Sequence, residues 1–348
     1  MEEIKRLMKT LSLFFILALP AALLAQTPKQ AYTIGVQQYE HDKPEEAIKS
    51  FNIVLEADKK SMAPYFYRGR CYLLTGENEK AIADFTQGIK LNAEEANLYS
   101  NRAMAYMNLN KSKKALEDLE QAIKLNPEHD LAYNLKGFIH KVNKEFKDSE
   151  AAYDKEIEIS PEEIRGYEDK AMVLMDQNKH GEALPLCLKT LELDSTYAFG
   201  YTAAADCYWH IDSIDQARSH FLTALEYDSL DWVSYNNLGF MLLEEERFDQ
   251  AVEAFKAMTA MFPERSFGFN NLGYALFKSG KIEEGKESML KALEMDGTNS
   301  YIHRNLALVY IETGERKKVC KELKLALKKG FTEKYGLEVL ELQKEHCK

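Results

Sequence analysis

The side chains able to do chemistry are scattered. Eight histidines are dispersed along 348 residues, and the nearest thing to a cluster is Asp206, Trp209 and His210. Asp206 and His210 stand one helical turn apart on the same face. Two ligands without a nearby third make a poor metal site and a poor acid–base pair, so a solvated helix face is the expected reading. The chain carries no Gly-rich phosphate loop, no zinc-protease His-Glu motif, no Gly-x-Ser-x-Gly elbow and no dinucleotide fingerprint. No catalytic residue, metal or cofactor is expected. An enzyme or enzyme subunit would have to use the acidic, His-bearing surface around Asp206.

The elements that must carry whatever function exists are legible in a repeat. Small residues recur every 34 positions at Gly35, Gly69, Ala103, Gly137, Ala171, Ala205, Gly239, Gly273 and Ala307. A fixed period of that length means one supersecondary unit copied end to end. Four residues before these sites stands an aromatic, at Tyr65, Tyr99, Tyr133, Tyr167, Tyr201, Tyr235 and Phe269. Twelve residues after them comes a second small site (Ala47, Ala81, Ala115, Ser149, Ala183, Ala217, Ala251, Gly285), and four further on a larger one. That larger residue is Phe51, Phe85, Leu119, Tyr153, Phe221, Phe255, Met289 or Leu323. Spacing of three and four within each half, with breakers such as Gly76, Gly280 and Gly314 between halves, predicts two antiparallel helices per unit. Small residues belong where those helices cross, because only Gly, Ala or Ser lets the axes come close. Pro127, Pro161 and Pro263 close individual units.

Tyr235, Leu238, Gly239, Ala251, Phe255 and Pro263 together match the pattern of the tetratricopeptide repeat family, which the chain resembles over residues 28 to 333. The resemblance implies an all-α superhelix, a solenoid of nine helix-pair repeats starting at 28, 62, 96, 130, 164, 198, 232, 266 and 300, within residues 26–333. A C-terminal capping helix over 334–348 completes it. Departures are local: Cys187 stands at a large site, Pro185 just inside a helix, Glu156 where Ala or Gly is usual, and Ala31 and His303 at aromatic sites in the terminal units. Terminal copies have only one neighbour and are expected to be atypical.

In that family the first helices of successive units line a concave groove that receives an extended peptide or a partner helix. Transferred by position, the groove is lined by Phe66, Arg70, Asn101, Met104, Asn134 and Phe138 in the earlier units. Arg165, Met172, Phe199, Asp206 and Trp209 follow, then Asn237, Phe240, Phe267, Asn271, Tyr274, Tyr301 and Asn305. Amides at Asn101, Asn237, Asn271 and Asn305 both donate and accept, which suits a peptide backbone or, equally, a neighbouring helix. Aromatics beside them offer large apolar area. The expected partner is therefore a protein or extended peptide, with the tightest contacts from Trp209 to Tyr274; the rival within binding is a homo-oligomer filling its own groove. The family's clamp for chaperone tails needs two Lys, an Arg and two Asn across three units, and no three consecutive units supply them.

Charge agrees with a protein partner. Lys and Arg number 45 against 56 Asp and Glu, a net charge of −11, and the lysines are scattered rather than clustered, so nucleic acid is not an expected partner. At the N-terminus Lys5, Arg6 and Lys9 precede an uncharged stretch from Leu11 to Ala25 that ends Ala-Leu-Leu-Ala. Positive start, short apolar core and small terminal residue predict a signal peptide over 1–25, export to the periplasm or beyond, and cleavage before Gln26. Fifteen uncharged residues broken by Pro20 are short for a membrane span, so none is expected once the signal is removed.

Five cysteines are too few for a disulfide-dense miniprotein and wrongly spaced for zinc. Cys71 and Cys207 share one repeat position and Cys187 fills a core site, so all three are expected to pack as small hydrophobes. Cys320 and Cys347 differ. If the chain turns near Lys329-Gly330 and returns antiparallel, the run from Cys320 to Lys329 covers about 13 Å and that from Tyr335 to Cys347 about 18 Å, which predicts a disulfide between them.

Overall fold

The computed structural model describes residues 27–332 and 336–347. The proposed signal segment 1–25 and its cleavage site at Gln26 lie outside them. The described residues are helical and contain no strand. The chain divides into two compact units between Pro161 and Glu162.

The first unit holds four helix pairs: α1 (Pro28–Glu40) with α2 (Pro44–Ala57), α3 (Met62–Leu74) with α4 (Asn78–Leu91), α5 (Ala96–Asn108) with α6 (Ser112–Leu125), and α7 (Asp130–Val142) with α8 (Phe146–Ile159). The second holds five pairs: α9 (Ile164–Asp176) with α10 (His180–Leu193), α11 (Ala198–His210) with α12 (Ile214–Tyr227), α13 (Trp232–Glu244) with α14 (Phe248–Met261), α15 (Ser266–Lys278) with α16 (Ile282–Met295), and α17 (Ser300–Glu312) with α18 (Arg316–Lys328). A last helix, α19 (Glu338–His346), follows. Inside each unit the second helix of one pair packs on the first helix of the next, as a solenoid requires.

Each pair crosses at the same kind of contact. The small residue of the first helix faces the large residue sixteen positions on, in the second helix. A Cβ placed on Gly239 would meet Phe255 Cζ at 2.5 Å, one on Gly69 would meet Phe85 at 2.7 Å, and one on Gly137 would meet Tyr153 at 2.8 Å. Four of the glycines face a ring and four alanines share a buried cluster with their partner: Ala103 with Leu119, Ala171 with Cys187, Ala205 with Phe221 and Ala307 with Leu323. The pair α15–α16 goes further. A Cβ on Gly273 would meet the Gly285 carbonyl oxygen at 2.7 Å, so there backbone rests on backbone.

The turn between helices also repeats. One residue per pair takes φ between 55° and 83°: Asp42, Gly76, Asn110, Lys144, Asn178, Asp212, Glu246, Gly280 and Gly314. Glycine fills that left-handed position three times and Asp or Asn four times, the types that tolerate it best. Tyr65, Tyr99 and Tyr201 send their hydroxyls to the carbonyls of Lys59, Ala93 and Ser195, tying each first helix to the loop before it.

Irregular positions are accommodated locally. Glu156 is buried and accepts from Asn134 Nδ2 at 3.0 Å. Buried His303 places Nδ1 2.6 Å from Glu322 Oε2. Cys71, Cys187 and Cys207 are buried. Burial pushes the Cys71 thiol up to about 11, and a hydrogen bond with Cys187, then burial, push Cys207 far up, so these two suit packing rather than reaction. At the end of the second unit, Val339 of α19 joins Val319, Leu323 and Phe331 in one core cluster. The Cys320 and Cys347 sulfurs lie 2.14 Å apart, with their Cα atoms at 5.6 Å.

Two outcomes are expected. Gly239→Ala should destabilise the chain to urea, because an overpacking cost of about 1–3 kcal/mol exceeds the roughly 1 kcal/mol that Ala gains in helix propensity. Adding Phe255→Leu should restore stability, since Ala opposite Leu is the pairing at 103/119 and 307/323; Gly273→Ala should resist rescue by Met289→Leu, its obstacle being backbone. A neutral Gly239→Ala would contradict the packing argument. Non-reducing peptide mapping should recover a Cys320–Cys347 cross-linked peptide, and reduction should cost about 3 to 4 kcal/mol for a loop of this length; two freely alkylated thiols would exclude the bridge.

Candidate binding groove

In the second unit the first helices of three successive pairs enclose a concavity of about 410 Å³. Phe240 comes from α13, Phe267, Asn270, Asn271 and Tyr274 from α15, and Tyr301, Arg304 and Asn305 from α17, whose N-cap Asn299 adds the rim. Six of the positions transferred from the family groove to this stretch therefore converge: Phe240, Phe267, Asn271, Tyr274, Tyr301 and Asn305. Trp209 and Asn237 line no part of it.

The amides form a ladder. Asn271 Nδ2 donates to Asn236 Oδ1 at 2.9 Å, and Asn305 Nδ2 donates to Asn270 Oδ1 at 3.0 Å. Asn236 Nδ2 also donates to Asn237 Oδ1 at 3.2 Å. Asn270, Asn271 and Asn305 are buried, so these groups tie α13, α15 and α17 in register before any ligand arrives. Each amide can take further bonds. Even so, the aromatics are the surfaces more available to a partner.

Arg304 anchors the far wall. Its guanidinium lies 5.3 Å from the Tyr274 ring centre, donates to Asn305 Oδ1 at 2.8 Å and grips both carboxylate oxygens of Glu338. Burial disfavours the Arg304 cation, but the bonds and charge of Glu338 outweigh it and hold the group above its ordinary value. The first residue of α19 thus fixes a wall of the concavity.

Elsewhere the transferred residues do different things. Trp209 Nε1 donates to Glu244 Oε2 at 3.0 Å. In the first unit Arg70 stacks over Tyr39 at 5.0 Å and Phe66 at 5.7 Å. Asn101 is buried and donates to the Asn97 carbonyl at 2.8 Å within its own helix. Phe138 is 48% exposed.

Three features escaped the sequence reading. Asn270 and Arg304 were signalled only by the doublets Asn236-Asn237, Asn270-Asn271 and Arg304-Asn305 near one repeat phase. A repeated ion pair in the first unit links Arg68 to Asp84 and Arg102 to Asp118, each bidentate at 2.7–2.8 Å. The third corrects an expectation: Asp206 and His210 do have a third side chain of ligand type beside them, His180, because the start of α10 lies against the end of α11.

Three family models described as tetratricopeptide repeat match the chain, one at 96–129, one at 32–96 and 202–266, and one at 268–299. No curated protein matches. Among solved structures, the Cut9–Hcn1 hetero-tetramer of the APC/C is similar with a TM-score of 0.57 at 13% identity, over 92% of this chain and 63% of that one. A tetratricopeptide repeat protein from Parabacteroides merdae is similar at 0.55 and 17% identity, over 72% of this chain and all of that one. PilW, a widely conserved type IV pilus biogenesis factor, is similar at 0.53 and 16% identity, over 58% of this chain and 93% of that one. At these identities the likeness is one of fold.

Proposed function

The chain belongs to the tetratricopeptide repeat family, and we propose that it is an exported, non-catalytic scaffold holding an extended peptide segment of a protein partner against α13, α15 and α17. The observation that carries this reading is the concavity where Phe240, Phe267, Tyr274 and Tyr301 meet. Aromatic rings in a pre-formed recess supply apolar area at low entropic cost, as binding anchors do. The buried asparagine ladder and the Arg304–Glu338 bond hold the recess open in advance, so little ordering remains to oppose binding. No helix among the described residues is long and apolar enough to cross a membrane. Export rests on the charged, apolar and small-residue series ending at Ala25.

The groove is tested by selecting peptides against the whole mature chain and titrating the winners into variants. Phe267→Ala and Tyr274→Ala should each weaken binding about thirtyfold or more, equivalent to 2 kcal/mol, with the fold retained by circular dichroism. Leu222→Ala, at an exposed site on the second helix α12, should change nothing. Unaltered affinity in both groove variants would sink the assignment. Export is tested separately: N-terminal sequencing of protein from its native cell should begin at Gln26, and recovery of intact residues 1–25 would refute cleavage.

A further inference from the structure

Three solenoid steps of this chain share one junction, where the first residue of a second helix meets the last turn of the next first helix thirty residues on. At one such junction Asn108 Nδ2 donates to Asn78 Oδ1 at 2.8 Å; at another the Lys278 ammonium sits 5.5 Å over the Phe248 ring. Between α10 and α11 the same positions hold His180 and His210, with Asp206 one turn back on α11. We propose that His180, Asp206 and His210 form a binding site for a divalent first-row transition cation of the Zn²⁺ type.

Three observations support this. First, each residue offers a ligand atom, and these atoms all lie within 4.8 Å of one another. Asp206 Oδ2 is 3.9 Å from His180 Nδ1 and 3.7 Å from His210 Nδ1, too far for hydrogen bonds. Atoms each about 2.0–2.2 Å from a shared ion stand roughly 3.3–3.6 Å apart in tetrahedral geometry, so these gaps are near those around one cation, and what must change is ring orientation. Second, His180 is 8% exposed, and neither of its ring nitrogens has a hydrogen-bond partner. A buried polar group left so marks a missing partner. Third, His210 Nδ1 lies 2.8 Å from the Asp206 backbone carbonyl, a bond that keeps the exposed ring beside the Asp206 carboxylate in the ion-free chain and is exchanged for the cation when the ring turns.

The donor set selects the ion. Two imidazoles and one carboxylate suit Zn²⁺ and its transition-metal neighbours, whereas Ca²⁺ and Mg²⁺ require oxygen. The His180 and His210 rings are stacked, centres 3.9 Å apart and 9° from parallel. A metal lies close to the plane of each ring it bonds, so capture requires one ring to turn. That ring is His210, the exposed member, which also leaves a coordination position open to solvent.

The test is calorimetric titration of Zn²⁺ into the tag-free, chelator-stripped full chain. One saturable ion per chain is expected, together with a raised melting temperature. Asp206→Asn and His210→Gln should each weaken binding by more than the roughly 10- to 100-fold that loss of an outer-shell partner costs. His220→Gln, on α12 and outside the cluster, should bind as the parent does. Apo circular dichroism establishes that the variants fold, and His210, being exposed, decides the matter even where buried His180→Gln does not fold. Equal affinity in Asp206→Asn and His210→Gln, or no binding by the parent up to roughly 1 mM Zn²⁺, overturns the proposal.

Discussion

The close approach of two helices at a single small residue governs this protein. Where Gly239 faces Phe255 there is no room for one more carbon, and where Gly273 faces Gly285 the contact is backbone on backbone. That proximity sets the crossing of each pair, and repetition at 34 residues brings successive first helices into register. The concavity, the asparagine ladder and the metal-type junction all follow from that register. None of them requires its own supporting element, apart from α19, whose Glu338 holds Arg304.

Much of this was legible because the constraint is steric and local to the sequence. A residue that must be small, opposite one that must be large sixteen positions later, leaves a signature that composition cannot blur. The turn was only partly legible. Gly76, Gly280 and Gly314 announce a left-handed residue, but Asp42, Asn110, Lys144, Asn178, Asp212 and Glu246 take the same conformation without glycine's signal. The helix pair tolerates those residues because its packing contributes more than a single strained φ costs, about 1–2 kcal/mol.

The site was less legible, and for a different reason. Asn101, Asn271 and Asn305 were correctly placed on the first helices, yet their amides bond to other protein groups, a choice that sequence spacing leaves open. Residues with partners on their own helix are visible at spacings of three and four. Those with partners across a junction are visible only to a reader who adds the thirty-residue offset between a second helix's start and the next first helix's end. His180 was missed on that account: counted along one helix, Asp206 and His210 are a pair, while counted across the junction they are a trio.

The two candidate sites sit where the fold makes the fewest demands. The small and large positions admit little variation, since each sets a helix crossing. The inner face of the first helices and the junctions need only be compatible with packing, and one junction accepts an Asn pair, another a Phe with Lys, a third two His with Asp. Such a scaffold can therefore acquire a specific site by substitution at a junction or on the inner face, with the repeat unchanged. The chain's unusual residues are then informative by position: Glu156 and His303 replace packing residues and are buried against partners, whereas His180 and His210 occupy positions that packing does not dictate. Chemistry at a permissive position, left without a hydrogen-bond partner at buried His180, points outward to a ligand.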